Sequence, residues 1–315
     1  MLNRRHLRVK VLQALYAYHQ SGGKEFKPFE KALLNSVEQV HELYIWLLSF
    51  LIEVADYSTI DAEKRANKYL PSPEDLVAST KLQENKFIIS LKQNPEYIAA
   101  VKKYKVSWSF DPEMAESVFI KLKNTPEYAE YLQLDDHTIQ SDKDIINFIF
   151  KKLILKSPEI VQTFEAKFIC WSIDKDVLKA LVAKTFKNFS SEVILKNKLA
   201  PVSPNWDEDR PFMLSLFQKT VAFESEHENL IAQKTTNWET DRIAIVDILL
   251  MRMAITEILH FSSIPVKVTM NEYIDLAKEY STPNSNSFIN GILDKILSDL
   301  KKEGKVRKTD RGLIE

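Results

Sequence analysis

Apolar residues along this chain recur at steps of three and four rather than two. Leu7, Val11, Ala14, Leu15 and Tyr18 fall on one face of a helix, and Val37, Val40, Tyr44, Leu47, Leu51 and Val54 fall on one face of another. The dense apolar run from Asp144 to Leu155, interrupted by two lysines, predicts a buried helix. Towards the C-terminus, Ile243, Val246, Leu249, Leu250 and Met253 mark a helix that Asp241 is placed to cap. Thr269-Met270-Asn271-Glu272 reads as a capping box, opening a helix that runs from near Met270 to Tyr280. Phe288, Ile292, Leu293, Ile296 and Leu300 mark a last helix that starts near Ser287 and stops at Gly304. No alternation of period two persists for a useful length, so an all-α fold is expected.

Proline strengthens this reading. Ser72-Pro73-Glu74, Asn94-Pro95-Glu96, Asp111-Pro112-Glu113, Thr125-Pro126-Glu127 and Ser157-Pro158-Glu159 share one chemistry. The first residue offers an oxygen to a free backbone N–H. The proline lacks a donor that would be unpaired there anyway, and the glutamate complements the helix dipole. Each triplet predicts a helix start. Ser21-Gly22-Gly23 ends the first helix, and Pro201-Val202-Ser203-Pro204 divides the middle of the chain from its C-terminal block. The chain is therefore expected to comprise a basic helix (1–22), a helical middle (23–204), a C-terminal block (205–301) and a flexible basic tail (302–315).

Composition removes several functions. The five glycines, Gly22, Gly23, Gly291, Gly304 and Gly312, build no GxGxxG or Walker-type loop, which counts against nucleotide-dependent enzymes. Cys170 is the single cysteine, so no intrachain disulfide forms, in keeping with a reducing cytoplasm; its apolar neighbours predict a buried, inert thiol. No stretch of eighteen uncharged apolar residues suggests a membrane span, and no apolar segment follows Asn3-Arg4-Arg5-His6 as in an export signal. The six histidines form no metal-ligand spacing; Asp135-Asp136-His137 comes nearest and reads as a solvated loop. No cofactor is expected.

Charge is uneven. Net charge is −1, yet residues 1–20 carry Arg4, Arg5, Arg8 and Lys10 with no acid, and residues 301–311 also carry a net +4. Two basic ends on an acidic body point to a localised anion-binding patch. Arginines in the first turn of a helix oppose its dipole, which invites a functional reason: guanidinium groups hold phosphates in a bidentate manner. Gly291, inside the last helix, costs about 1 kcal/mol against alanine. It is expected to admit a neighbouring helix or, alternatively, an approaching RNA.

These segments carry a resemblance. Arg4-Arg5-His6-Leu7-Arg8 with Leu12-Gln13-Ala14-Leu15-Tyr16 is similar to the opening helix of the NusB family. Ile264-Pro265-Val266-Lys267-Val268-Thr269-Met270-Asn271-Glu272, Asp275-Leu276-Ala277-Lys278 and Ser287-Phe288-Ile289-Asn290-Gly291-Ile292-Leu293-Asp294 resemble its C-terminal signature. The resemblance covers about residues 1–20 and 210–300 and implies a NusB-like fold of two small helical subdomains, here with an inserted helical region. It also implies a non-catalytic cytoplasmic protein that binds boxA-type single-stranded RNA jointly with NusE, a small-subunit ribosomal protein, within the RNA polymerase elongation complex. By position, it assigns RNA contact to Arg4, Arg5, Arg8, Lys278, Ser285, Phe288 and Asn290, and the NusE contact to Tyr16 and Asp247. Asn284 departs from the pattern, since relatives often carry an acid there; one negative charge fewer beside RNA should strengthen binding slightly.

The insertion, which typical members lack, raises a different possibility: a protein-interaction scaffold in which the extra helices have replaced RNA binding. An RNA-modifying enzyme with a NusB-like domain is a further alternative, opposed by the scarcity of glycine for a cofactor loop.

Overall fold

All five proline-bearing triplets open helices. In the computed structural model, which describes residues 1–23, 25–135, 138–190, 193–235 and 243–313, there is no strand among the described residues. The helices are α1 (Arg4–Gln20), α2 (Lys27–Ala66), α3 (Pro73–Leu76), α4 (Lys86–Lys92), α5 (Pro95–Tyr104), α6 (Pro112–Lys123), α7 (Pro126–Gln133), α8 (Ile139–Phe148), α9 (Pro158–Lys167), α10 (Trp171–Asn188), α11 (Trp206–Ala222), α12 (Glu224–Lys234), α13 (Ile245–His260), α14 (Val266–Tyr280) and α15 (Ser285–Lys302). Ser72, Asn94 and Thr125 each accept a bond from the N–H three residues on, whereas Asp111 and Ser157 make no such bond and leave the start to proline and glutamate. The run from Asp144 to Leu155 is helical, with α8 passing into a wider π turn at Ile149–Ile154 that buries Ile149, Phe150 and Ile154.

The chain divides into two compact units, one of residues 37–202 with Met1, the other of residues 2–36 and 203–315. In the first, Val37, Val40, Tyr44, Leu47, Leu51 and Val54 lie buried on α2 as their spacing requires. Aromatic rings fill much of this core: Phe50 lies 4.6 Å from Trp108, and Phe164 stacks on Trp171 at 4.8 Å. One window of α2 is long and apolar enough to cross a membrane, but 78% of it is buried within the protein, where it serves as core. Cys170 is half-buried rather than enclosed, and Ile169 beside it is 94% exposed. Asp136 and His137 lie outside the described residues.

In the second unit, α1 packs against α11 and α13, and α14 lies between α13 and α15. Gly22 and Gly23 adopt positive φ (81° and 68°), reversing the chain after α1, and Tyr18 donates its hydroxyl to the Gly23 carbonyl at 2.6 Å. The first turns of α2 then return to α1 and α11: Phe29 meets Tyr18 edge-on at 5.6 Å, and Gln218 donates to Glu30 at 3.0 Å. The second compact unit thus runs on past Gly22 to Ser36 and resumes at Ser203, within Pro201-Val202-Ser203-Pro204.

Part of the basic tail lies against the end of α13. Lys308 donates to the carbonyls of Phe261 (2.9 Å) and Glu257 (3.4 Å), and the Thr309 N–H to that of Ser262 (3.1 Å). A Cβ at Gly312 would sit 1.9 Å from the Ser262 carbonyl oxygen, so glycine is needed for this close approach. Asp241, expected to cap α13, lies outside the described residues.

Candidate nucleic-acid interface

Asn3 caps α1 by accepting from the His6 N–H, and His6 returns the bond, which fixes the helix start and the directions of the three arginines. Their environments differ sharply. Arg8 is almost fully buried, its side chain 3% exposed. It donates in a bidentate fork to Glu257, Nε to Oε2 at 2.8 Å and Nη2 to Oε1 at 2.7 Å. Thr269 (2.8 Å) and Tyr273 (3.2 Å) also donate to Glu257, which is itself wholly enclosed. Burial by itself would weaken Arg8 as a base; the Glu257 pair outweighs this and holds the guanidinium charged. Burial, with the Glu257 charge, pushes the Tyr273 hydroxyl well above its usual range. Arg8 thus ties α1 to α13 and α14, and its guanidinium, expected to meet RNA, is spent on the carboxylates of Glu257 and Glu272.

Arg4 and Arg5 are half-exposed but not free. Arg5 donates to Glu272 (3.1 Å) and Asp275 (2.9 Å), and the hydrogen bond to Glu272 is the main reason its charge is held more firmly. Arg4 meets Asp209 at 3.1 Å and the exposed Glu208 at 3.7 Å, and lies 4.3 Å over the ring of Phe212. Arg4, Arg5, Arg8, Glu208, Phe212 and Glu272 line an open hollow of about 1410 Å³ reached also by Pro265 and Arg311. Lys278 reaches the same Asp275 at 2.9 Å, so one carboxylate lies between Arg5 of α1 and Lys278 of α14. Asp275 is held below the usual carboxylate range by Lys278 first and Arg5 second.

Glu272 is therefore an ion-pair partner and not the third residue of a capping box. The helix begins a turn earlier, at Val266, and Thr269 turns inward to Glu257. Sequence reasoning missed Glu257, Glu272, Asp275 and Asp209 as the arginines' partners. Their signal is weak, because only the fold brings residues 205 (209 − 4) to 270 positions away against α1.

The remaining assigned residues scatter. Ser285 is buried, donating to Asp247 at 2.8 Å, and Ser281 donates to the same carboxylate at 2.5 Å. Asp247, 5% exposed, joins the start of α13 to the turn before α15; neither its proposed NusE contact nor the RNA contact of Ser285 is open to solvent. Tyr16 is 42% exposed, Phe288 half-buried, and Asn290 exposed on α15. Asn284 is exposed ahead of α15 and makes no side-chain cap.

Gly291 has nothing within 4 Å of where a Cβ would stand, so helix packing does not require it. Gly291→Ala is expected to raise stability by about 0.5–1 kcal/mol in urea unfolding. A lowered midpoint would show that the glycine serves the fold after all.

A NusB family model matches residues 175–298, a range that begins within α10 and hence within the stretch read as inserted. The transcription antitermination protein NusB of Salinibacter ruber is 42% identical over 143 residues, spanning 44% of this chain and 88% of that protein. The protein of the same name from Chloroherpeton thalassium is 39% identical over 106 residues, 34% of this chain and 50% of that protein. That of Natranaerobius thermophilus is 43% identical over 75 residues, 24% of this chain and 54% of that protein. No solved structure matches the chain.

Proposed function

The chain belongs to the NusB family, and from that premise we propose that it acts as a transcription antitermination protein, holding single-stranded boxA-type RNA together with NusE in the RNA polymerase elongation complex. The observation that carries this reading is the 42% identity to a protein named for that role, spanning 88% of its length. The geometry supports a particular contact surface. Arg4, Arg5 and Lys278 keep part of their charge in solvent, and Arg5 and Lys278 flank one carboxylate. RNA phosphates would compete with Asp275 and Glu272 for these cations, so binding is an exchange of anions and not the filling of a vacant patch. Phe288 and Asn290 on α15 would add stacking and base-edge contact, and exposed Tyr16 would serve NusE.

Salt tests this surface quantitatively. Three phosphate contacts on a single strand give a log K against log salt slope of roughly −2, from about −0.7 per contact. In filter binding of a boxA-type RNA, the Arg4→Ala/Arg5→Ala variant is expected to flatten that slope to roughly −0.7. An unchanged slope would remove these arginines from the interface.

One observation favours the second reading, a protein-interaction scaffold: every arginine at the start of α1 already has a carboxylate partner. On that reading NusE binds the full chain, and RNA adds nothing to the affinity. On ours, RNA and NusE each tighten the other's binding by the same factor.

A further inference from the structure

Part of the uncompensated positive charge of the second unit lies away from the arginines of α1. A groove of about 870 Å³ runs between α14, α15 and the segment after Gly304. Lys267, Lys301 and Arg307 stand exposed at its rim, and their side chains make no ion pair or hydrogen bond among the described residues. Lys308 also lines it, with its ammonium committed to backbone carbonyls. Among the described residues, Asp294 is the one acid lining the groove.

The floor is aliphatic. Met270 is buried there, and Ile274, Leu297 and Val306 are half-buried, leaving apolar surface open along the length of the groove. No aromatic side chain among the described residues lines it, so unpaired bases would find no ring on which to stack. An aliphatic floor under a cationic rim suits a different ligand: a helix that lays apolar residues at i, i+3 or i+4 and i+7 into the groove and offers carboxylates to its edges.

We propose that this groove docks an acidic, amphipathic helical segment of a protein partner. The site is formed partly by the C-terminal segment, whose hydrogen bonds to Ser262 and Phe261 hold Val306 and Arg307 in place as one wall. It adjoins the RNA surface proposed above at Asn290, which lines the groove, but its cations are separate: none of Lys267, Lys301 and Arg307 pairs with the arginines of α1 or their carboxylates.

The test is fluorescence anisotropy of the full chain with a labelled probe peptide of about four helical turns, carrying leucines at helical spacing and flanked by glutamates. Saturable binding is expected, weakening as salt rises. Lys301→Glu/Arg307→Glu is expected to reduce affinity about tenfold or more. Both side chains are exposed and unpaired, so unchanged circular dichroism melting is the check that this variant folds. Leu297→Asp should reduce binding by removing an apolar contact, and a probe with lysines in place of the glutamates should not bind. Absence of saturable binding, or binding unaffected by the charge reversals, overturns the proposal. So does a short single-stranded RNA that binds in place of the peptide and loses affinity in the same variants, since that assigns the groove to RNA.

Discussion

Replacing Arg8 by alanine is expected to destabilise the second unit by about 3–5 kcal/mol, read as a lower urea midpoint. The magnitude comes from the carboxylate left behind. Glu257 would remain enclosed, with Thr269 and Tyr273 still donating but the guanidinium that forks onto its carboxylate gone. An isolated carboxylate in that setting must take up a proton or admit water, and either disrupts the junction of α1, α13 and α14. Arg8→Lys is expected to recover only part of the loss, because an ammonium cannot reproduce the two-pronged donation to Glu257. Wild-type stability of the alanine variant would sink this account. The experiment also bears on RNA: an Arg8 variant that binds RNA poorly does so through a damaged fold, whereas Arg4 and Arg5 variants should keep the wild-type midpoint and show a shallower salt dependence.

Acid should weaken the same unit through His227. This side chain is wholly buried; burial chiefly, with the nearby Arg252 and His260 charges, lowers its pKa to about 4. Its Nδ1 faces the Thr256 hydroxyl at 3.4 Å, and its Nε2 has no hydrogen-bond partner. In the unfolded chain the imidazole takes a proton near its ordinary value of 6.5. Between those values the unfolded chain binds the extra proton, so stability falls as pH drops from about 6.5 to about 4 and is unaffected by this residue above that window. The shift corresponds to about 3 kcal/mol by pH 4. Carboxylates contribute to acid unfolding too, so the informative quantity is a difference: His227→Gln should show a shallower decline across this window than the wild type. Parallel declines would acquit His227.

Much of the fold was legible because its signals are local. A capping oxygen, a proline and a glutamate act within one turn, and the five starts they announce all appear. The apolar stripes of α1 and α2 likewise need only the helical period. The site was less legible because charge compensation is non-local. Arg4, Arg5 and Arg8 sit in an acid-free stretch of sequence, yet their partners come from α11, α13 and α14. A local reading saw a basic patch; folding turned one member into a structural tie and half-neutralised the others. Asp247 and Ser285 reverse the same lesson. Each looked like a surface polar residue on its own helix, and together they satisfy one another inside. The tail deceived for the opposite reason: six cations within eleven residues suggested solvent, while the small size of Gly312 and the backbone donor of Thr309, neither visible to a charge count, bring it against Ser262.

The unit that holds α1 begins at Leu2, breaks off at Ser36 and resumes only at Ser203. During synthesis, the carboxylate that Arg8 needs leaves the ribosome 249 residues after Arg8 itself. At roughly 5–20 residues per second that is a delay of roughly 12–50 s. By its end the intervening residues 37–202 are complete and free to collapse, while Arg8 on the nascent first helix still lacks its carboxylate. The oldest part of the polypeptide is thus among the last to reach its native surroundings, and a translational pause before Glu257 would prolong the interval in which those guanidinium groups face the anions of the ribosome and its transcript.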